Sequence, residues 1–143
     1  MQILECVFPG KIKPQNNDED KIYPLSGISN KLTIFCNETG YWSVYQSDRY
    51  GFNNPDEEWD NKEIEYLLIG DSLVDGACVN RPHDIASVLR TLSNKSVLNL
   101  GYGGNGPLLE YATLREYFKH IEAKNCFMAL FSRRCKTTSI RII

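Results

Sequence analysis

Apolar residues in this chain change their rhythm near residue 63. Before it they alternate in short runs. Leu32-Thr33-Ile34-Phe35 and Tyr41-Trp42-Ser43-Val44-Tyr45 are rich in β-branched and aromatic residues, which favour strands. Asn37-Glu38-Thr39-Gly40 lies between them as a turn, so residues 31–46 are expected to form a β-hairpin. Residues 1–30 are irregular and contain the polar run Gln15 to Asp20; they read as a leader or loop. Residues 47–62 are polar and read as a second loop.

After residue 63 strands and helices alternate. Ile64 to Ile69 is a short apolar run ending in Gly70, the pattern of a buried strand. Pro82 is expected to open a helix, with Ile85, Val88, Leu89 and Leu92 on one face at i, i+3, i+4 and i+7. Ser96 to Leu100 reads as a second strand, followed by a loop with four glycines between Gly101 and Gly106. Pro107 is expected to open a second helix, carrying Leu108, Tyr111, Leu114, Phe118 and Ile121 at helical spacing. Cys126 to Phe131 reads as a third strand. This β-α-β-α-β order implies an α/β fold with a parallel sheet covered by helices. Ligands of such sheets bind beyond the carboxyl ends of the strands, where the Gly70-Asp71-Ser72 and Gly101–Gly106 loops fall. A division at residue 47 is expected: an irregular leader with the hairpin (1–47), then the α/β region (48–143).

Composition adds limits. The 143 residues have 42% hydrophobic and 24% charged content and a formal net charge of −2. That balance suits one globular core and gives no electrostatic reason to expect nucleic acid. No apolar run approaches the roughly 20 residues of a membrane span, and Met1 to Lys13 lacks the features of a signal peptide. A cytoplasmic location is the default expectation, or an envelope-associated one if the natural N-terminus is longer. The oligomeric state is left open. Cys6, Cys36, Cys78, Cys126 and Cys135 include no C-x-x-C pair, so neither a zinc site nor any other metal is expected. As an odd, scattered set they are expected to be reduced.

The chemistry points to the two loops. Ser72, directly after a buried strand and Gly70, is placed as a nucleophile on a tight turn would be, with backbone N–H groups near a developing oxyanion. Ser72 could equally do no more than cap a helix. Gly104 and Asn105 could add two further oxyanion donors. Gly101 to Gly106 also satisfies G-x-G-x-x-G letter by letter, which keeps open a Rossmann-type nucleotide or S-adenosylmethionine binder. Pro107 and the lack of a well-placed acidic residue about 20 positions on weaken that alternative.

Taken together, Tyr66-Leu67-Leu68-Ile69-Gly70-Asp71-Ser72 and Val97 to Gly104 resemble the first two sequence blocks of the SGNH (GDSL-type) hydrolases. The resemblance spans about residues 45–122; Asp48 to Pro55 and Cys78 to Pro82 also look like bacterial members. It implies a partial three-layer, flavodoxin-like α/β/α fold and a serine esterase acting on acyl or acetyl esters, of small molecules or linked to glycans, without a cofactor. It implies that Ser72 is the nucleophile, that Asp71 is part of the motif, and that Gly104, and possibly Asn105, line the oxyanion hole. The chain departs from the family after its third strand: the G-x-N-D motif is absent, and so is the D-x-x-H that supplies acid and base. His83 and His120 read as surface residues. The expectation is therefore an incomplete or inactive esterase, with a non-catalytic degenerate module or pseudogene product as the alternative. The basic, aperiodic stretch Ser132 to Ile143 suggests a shifted reading frame. One base of shift after Ala123 allows an apolar strand containing a forced tryptophan.

Overall fold

The computed structural model describes residues 24–35, 40–129 and 141–142. The hairpin forms as expected, from β1 (Leu32–Phe35) and antiparallel β2 (Ser43–Gln46), with Leu32 opposite Gln46 and Phe35 opposite Ser43. Most of its turn, and residues 1–23, lie outside the described residues.

The α/β region is built on β3 (Ile64–Gly70), β4 (Val97–Asn99) and β5 (Ala123–Ala129). β4 and β5 both run parallel to β3, one on each side, and β6 (Arg141–Ile142) adds antiparallel to β5, giving the order β4-β3-β5-β6. Three helices follow the strands: α1 (Ser72–Asp75), α2 (Ile85–Ser93) and α3 (Pro107–Tyr117). β3 is the centre because both its faces are apolar. Leu67 and Ile69 pack with Phe52, Leu98, Leu100, Leu114 and Met128 on one side, and Leu68 packs with Val74, Ala86 and Val97 on the other. Helices therefore cover both faces, α3 on the first and α1 with α2 on the second. Most of the third expected strand is present in β5, which begins three residues earlier than Cys126; Leu130 and Phe131 lie outside the described residues, as does nearly all of the 132–143 stretch.

Two helix readings need correction. Pro82 does not open a helix. The Arg81–Pro82 peptide is cis, His83 N–H donates to Asn80 O in a turn, and α2 starts at Ile85, where Asp84 accepts a hydrogen bond from the Ser87 N–H (2.9 Å). The stripe Ile85, Val88 and Leu92 faces outward, Leu92 being 80% exposed, while Ala86 and Ser87 are buried and Leu89 is partly so. The buried face is turned by roughly one residue, about 100°. The reason lies in Arg90. Its guanidinium donates to Val97 O (2.6 and 3.0 Å) and Asn54 Oδ1 (2.8 Å) and pairs with Glu58 (2.9 Å), so Arg90 must face the sheet. On α3 the buried positions are Glu110, Thr113 and Leu114, whereas Leu108 is 75% exposed and Ile121 lies beyond the helix.

The first half of the polar loop 47–62, Ser47 to Asn54, is part of the core rather than a surface excursion. Asp48 is fully buried and accepts from the N–H groups of Tyr50 and Phe52, from Asn54 Nδ2 and from Trp59 Nε1. Asn54, held in this way, lies along the outer edge of β4. Its amide donates to Asn99 O (2.8 Å) and accepts from Asn99 N (2.9 Å), as a neighbouring strand would. Two residues back along β4, Glu58 accepts from Val97 N and Arg90 donates to Val97 O. An exposed sheet edge invites pairing with another chain; here side chains satisfy it. Residues Asp56–Asp60 of this loop form a short 3-10 turn.

The cysteine expectation is also corrected. Cys78 is disulfide-bonded. Even separations of thiols in sequence do not report spatial proximity, so one-dimensional spacing could not show the bond. Among the described residues no helix is long and apolar enough to cross a membrane.

Candidate functional site

Gly70 ends β3, and Asp71 turns the chain into α1. Asp71, not Ser72, is the helix cap: its side chain accepts from Leu73 N (3.0 Å), and its carbonyl accepts from the N–H groups of Val74 and Asp75. Ser72 is thereby the first helical residue, released from capping. Among the described residues neither its hydroxyl nor its N–H has a hydrogen-bond partner.

The glycine-rich loop is bound to this corner. Tyr102 N donates to Gly70 O (3.1 Å), which puts the two expected site loops side by side. Asn99, fully buried, donates to Val74 O (2.6 Å) and accepts from Gly101 N (2.8 Å). Gly101 lies so close to α1 that a Cβ there would stand 2.6 Å from the Val74 carbonyl carbon. No side chain fits, which is the physical reason for glycine. Gly103 N donates to Asp75 Oδ2 (3.1 Å).

Gly104 has φ +86°, and nothing lies within 4 Å of where its Cβ would be. That left-handed backbone favours glycine, and its N–H is without a partner among the described residues. Asn105 N donates to Tyr102 O (3.3 Å), while its side-chain Nδ2 is buried and unpartnered. Ser72, Gly104 and Asn105 thus each keep a donor unspent, on two loops that a hydrogen bond joins.

Two acids that the sequence reading did not single out belong to this corner. Asp75 is 3% exposed, and besides Gly103 N it accepts from the Tyr45 hydroxyl (3.4 Å). Burial pushes its carboxyl up to about 6, against the lowering effect of the two hydrogen bonds. Burial and the neighbouring Asp71 charge push Glu110 up to about 7. Asp75 was hidden because a fourth-position acid on a four-residue helix has no pattern of its own. Glu110 stands where helical periodicity asks for an apolar residue, and that mismatch was the available signal.

His83 and His120 are both exposed, and neither side chain is hydrogen-bonded to Ser72. The hairpin and the loop after it are tied to α1 and the segment that follows it: Ser43 Oγ donates to Val79 O, Val44 N donates to Asn80 Oδ1, and Asn53 Nδ2 donates to Asp75 O. Comparison of the chain with protein-family models, with curated proteins and with solved structures finds no match.

Proposed function

We propose that this corner is the nucleophile and oxyanion part of an SGNH-type ester hydrolase site. The observation that carries the reading is the set of unspent groups on one pair of joined loops: the Ser72 hydroxyl and N–H, the Gly104 N–H and the Asn105 amide. Ser72 Oγ would attack the carbonyl carbon of an acyl or acetyl ester. The Ser72 and Gly104 N–H groups and Asn105 Nδ2 would hold the oxygen as it gains charge, and the alcohol would leave as the carbon–oxygen bond breaks. The strand order supports the flavodoxin-like form of the fold. Counting only parallel strands it is 2-1-3, the order with which that sheet begins, and the site lies outside the carboxyl end of the first strand.

Among the described residues no base is hydrogen-bonded to the Ser72 hydroxyl, and serine without a base is a weak nucleophile. The chain as it stands is therefore expected to acylate slowly and turn over little. A non-catalytic module remains the second reading on the same ground. The nucleotide-binding alternative has less support: the Gly101 and Gly103 N–H groups that a phosphate would need are spent on Asn99 and Asp75.

The test is acetyl transfer from p-nitrophenyl acetate at mildly alkaline pH, read by peptide mass spectrometry. Its leaving group needs no proton, and the serine proton goes to hydroxide. An oxyanion hole alone retains roughly 10³–10⁴-fold catalysis over water, so an acetyl group is expected to accumulate on Ser72 and to be absent in Ser72→Ala. Acetylation of surface lysines with none at Ser72 would refute the reading.

A further inference from the structure

The first turn of α3 departs from the usual construction of a helix start. Gly106 is the cap, so Asn105 directly precedes it and Glu110 is the fourth helical residue. These two positions meet across the first turn and are often filled by an apolar pair that packs together. Here both are polar. Glu110 is 2% exposed, and its Oε2 is buried without a hydrogen-bond partner; Asn105 Nδ2 is in the same condition. Leaving a buried polar group unpaired is costly, and this helix start carries two. Asn105 N donates to Tyr102 O (3.3 Å) and Tyr102 N to Gly70 O (3.1 Å), so the loop that leads into this helix start is tied to the strand end before Ser72, and Asp71 acts on Glu110 electrostatically.

We propose that Asn105 and Glu110 form a hydroxyl-binding subsite next to Ser72, selecting esters of polyols that keep a free hydroxyl beside the ester bond. The proposal deepens the esterase reading and rests on it for the word ester. A hydroxyl is the group that satisfies both atoms, because it donates to Glu110 Oε2 and accepts from Asn105 Nδ2. A methylene leaves both unpaired. An anion meets the Asp71 charge. An ammonium group pairs with the carboxyl but has no lone pair for the amide. Burial and Asp71 hold the Glu110 carboxyl at about 7, so near neutral pH it is available in both forms, and the protonated form also pairs with a hydroxyl. The Asn105 amide has two hydrogens, enough to serve the hydroxyl and the ester oxygen together.

The experiment is a backbone amide NMR titration of the full chain with three probes: glycerol, glycerol monoacetate and propyl acetate. Glycerol monoacetate is expected to bind about tenfold more tightly than propyl acetate and to shift the amides of Ser72, Gly104, Asn105 and Glu110. Glu110→Leu is expected to abolish that preference and Glu110→Gln, which keeps a side-chain oxygen, to retain most of it; the dispersion of each spectrum reports whether the variant is folded. Equal affinity for the two esters, or a preference that survives Glu110→Leu, overturns the proposal. Should glycerol shift Asn105 and Glu110 while neither ester shifts Ser72 or Gly104, the hydroxyl subsite stands and the esterase reading falls.

Discussion

Replacing Asn54 with leucine tests how the edge of the sheet is held. The substitution nearly conserves volume, leaves little room for a replacement water and removes every polar atom. Asp48 Oδ2 keeps Trp59, and Arg90 Nη2 keeps Val97 O. The N–H and C=O of Asn99, which both face Asn54 in the fully buried residue Asn99, lose their partner. Two such groups at about 1–3 kcal/mol each give roughly 2–6 kcal/mol of destabilisation, a large part of the 5–15 kcal/mol typical of a domain. With a urea slope of about 2 kcal/mol per molar, the unfolding midpoint is expected to fall by roughly 1–3 M. The readout is urea unfolding followed by far-ultraviolet circular dichroism, with Asn61→Leu, an exposed position, as the control. Because Asn99 also holds Gly101 N, the amide signals of the glycine loop should move with the variant. A midpoint within about 0.25 M of the parent, the roughly 0.5 kcal/mol of an ordinary surface change, would refute the account of the edge.

Two further outcomes follow from the site. Asp75 and Glu110 have pKa values raised from 3.8 to about 6 and from 4.5 to about 7, so between the lower and upper value of each the folded chain holds a proton that the unfolded chain has lost. Their contribution is therefore fully present below about pH 4 and is lost as pH rises to about 7, each on the order of 3 kcal/mol; urea midpoints across that range should show a shallower decline for Asp75→Asn, and an unchanged profile would contradict the buried charge. Gly101→Ala forces a methyl into the α1 backbone and should cost more than about 2 kcal/mol, whereas Gly106→Ala, with open space around its Cβ, should cost about 1 kcal/mol, the loss expected for alanine at a helix cap; equal midpoints for the two would show that the glycine loop is not pressed against α1.

Much of the scaffold could be read along the chain, for local reasons. Ile64 to Ile69 carried the apolar run of a buried strand, and the β-branched and aromatic residues of Leu32 to Phe35 and Tyr41 to Tyr45, with a turn between them, asked for a hairpin. Ser72 and the glycines stood out because a short-range rule, a tight turn after a strand, governs them. Where the reading failed, a partner distant in sequence decided the outcome. The apolar stripe of α2 turned outward because Arg90 is recruited to Val97, Asn54 and Glu58. Asp84, and not the residue before Pro82, took the cap of α2.

What the amino-acid order determined by itself is the alternation of strands and helices and the place of two loops at their junctions, since both depend on periodicity and turn chemistry within a few residues. Only the tertiary structure decided that a polar loop, Ser47 to Asn54, is core and that Asn54 completes the edge of β4. It alone brought Gly70 to Tyr102 and left Glu110 buried beside Asp71. Those outcomes depend on hydrogen bonds between residues tens of positions apart, whose burial makes them obligatory, and no local pattern encodes which distant group will meet them.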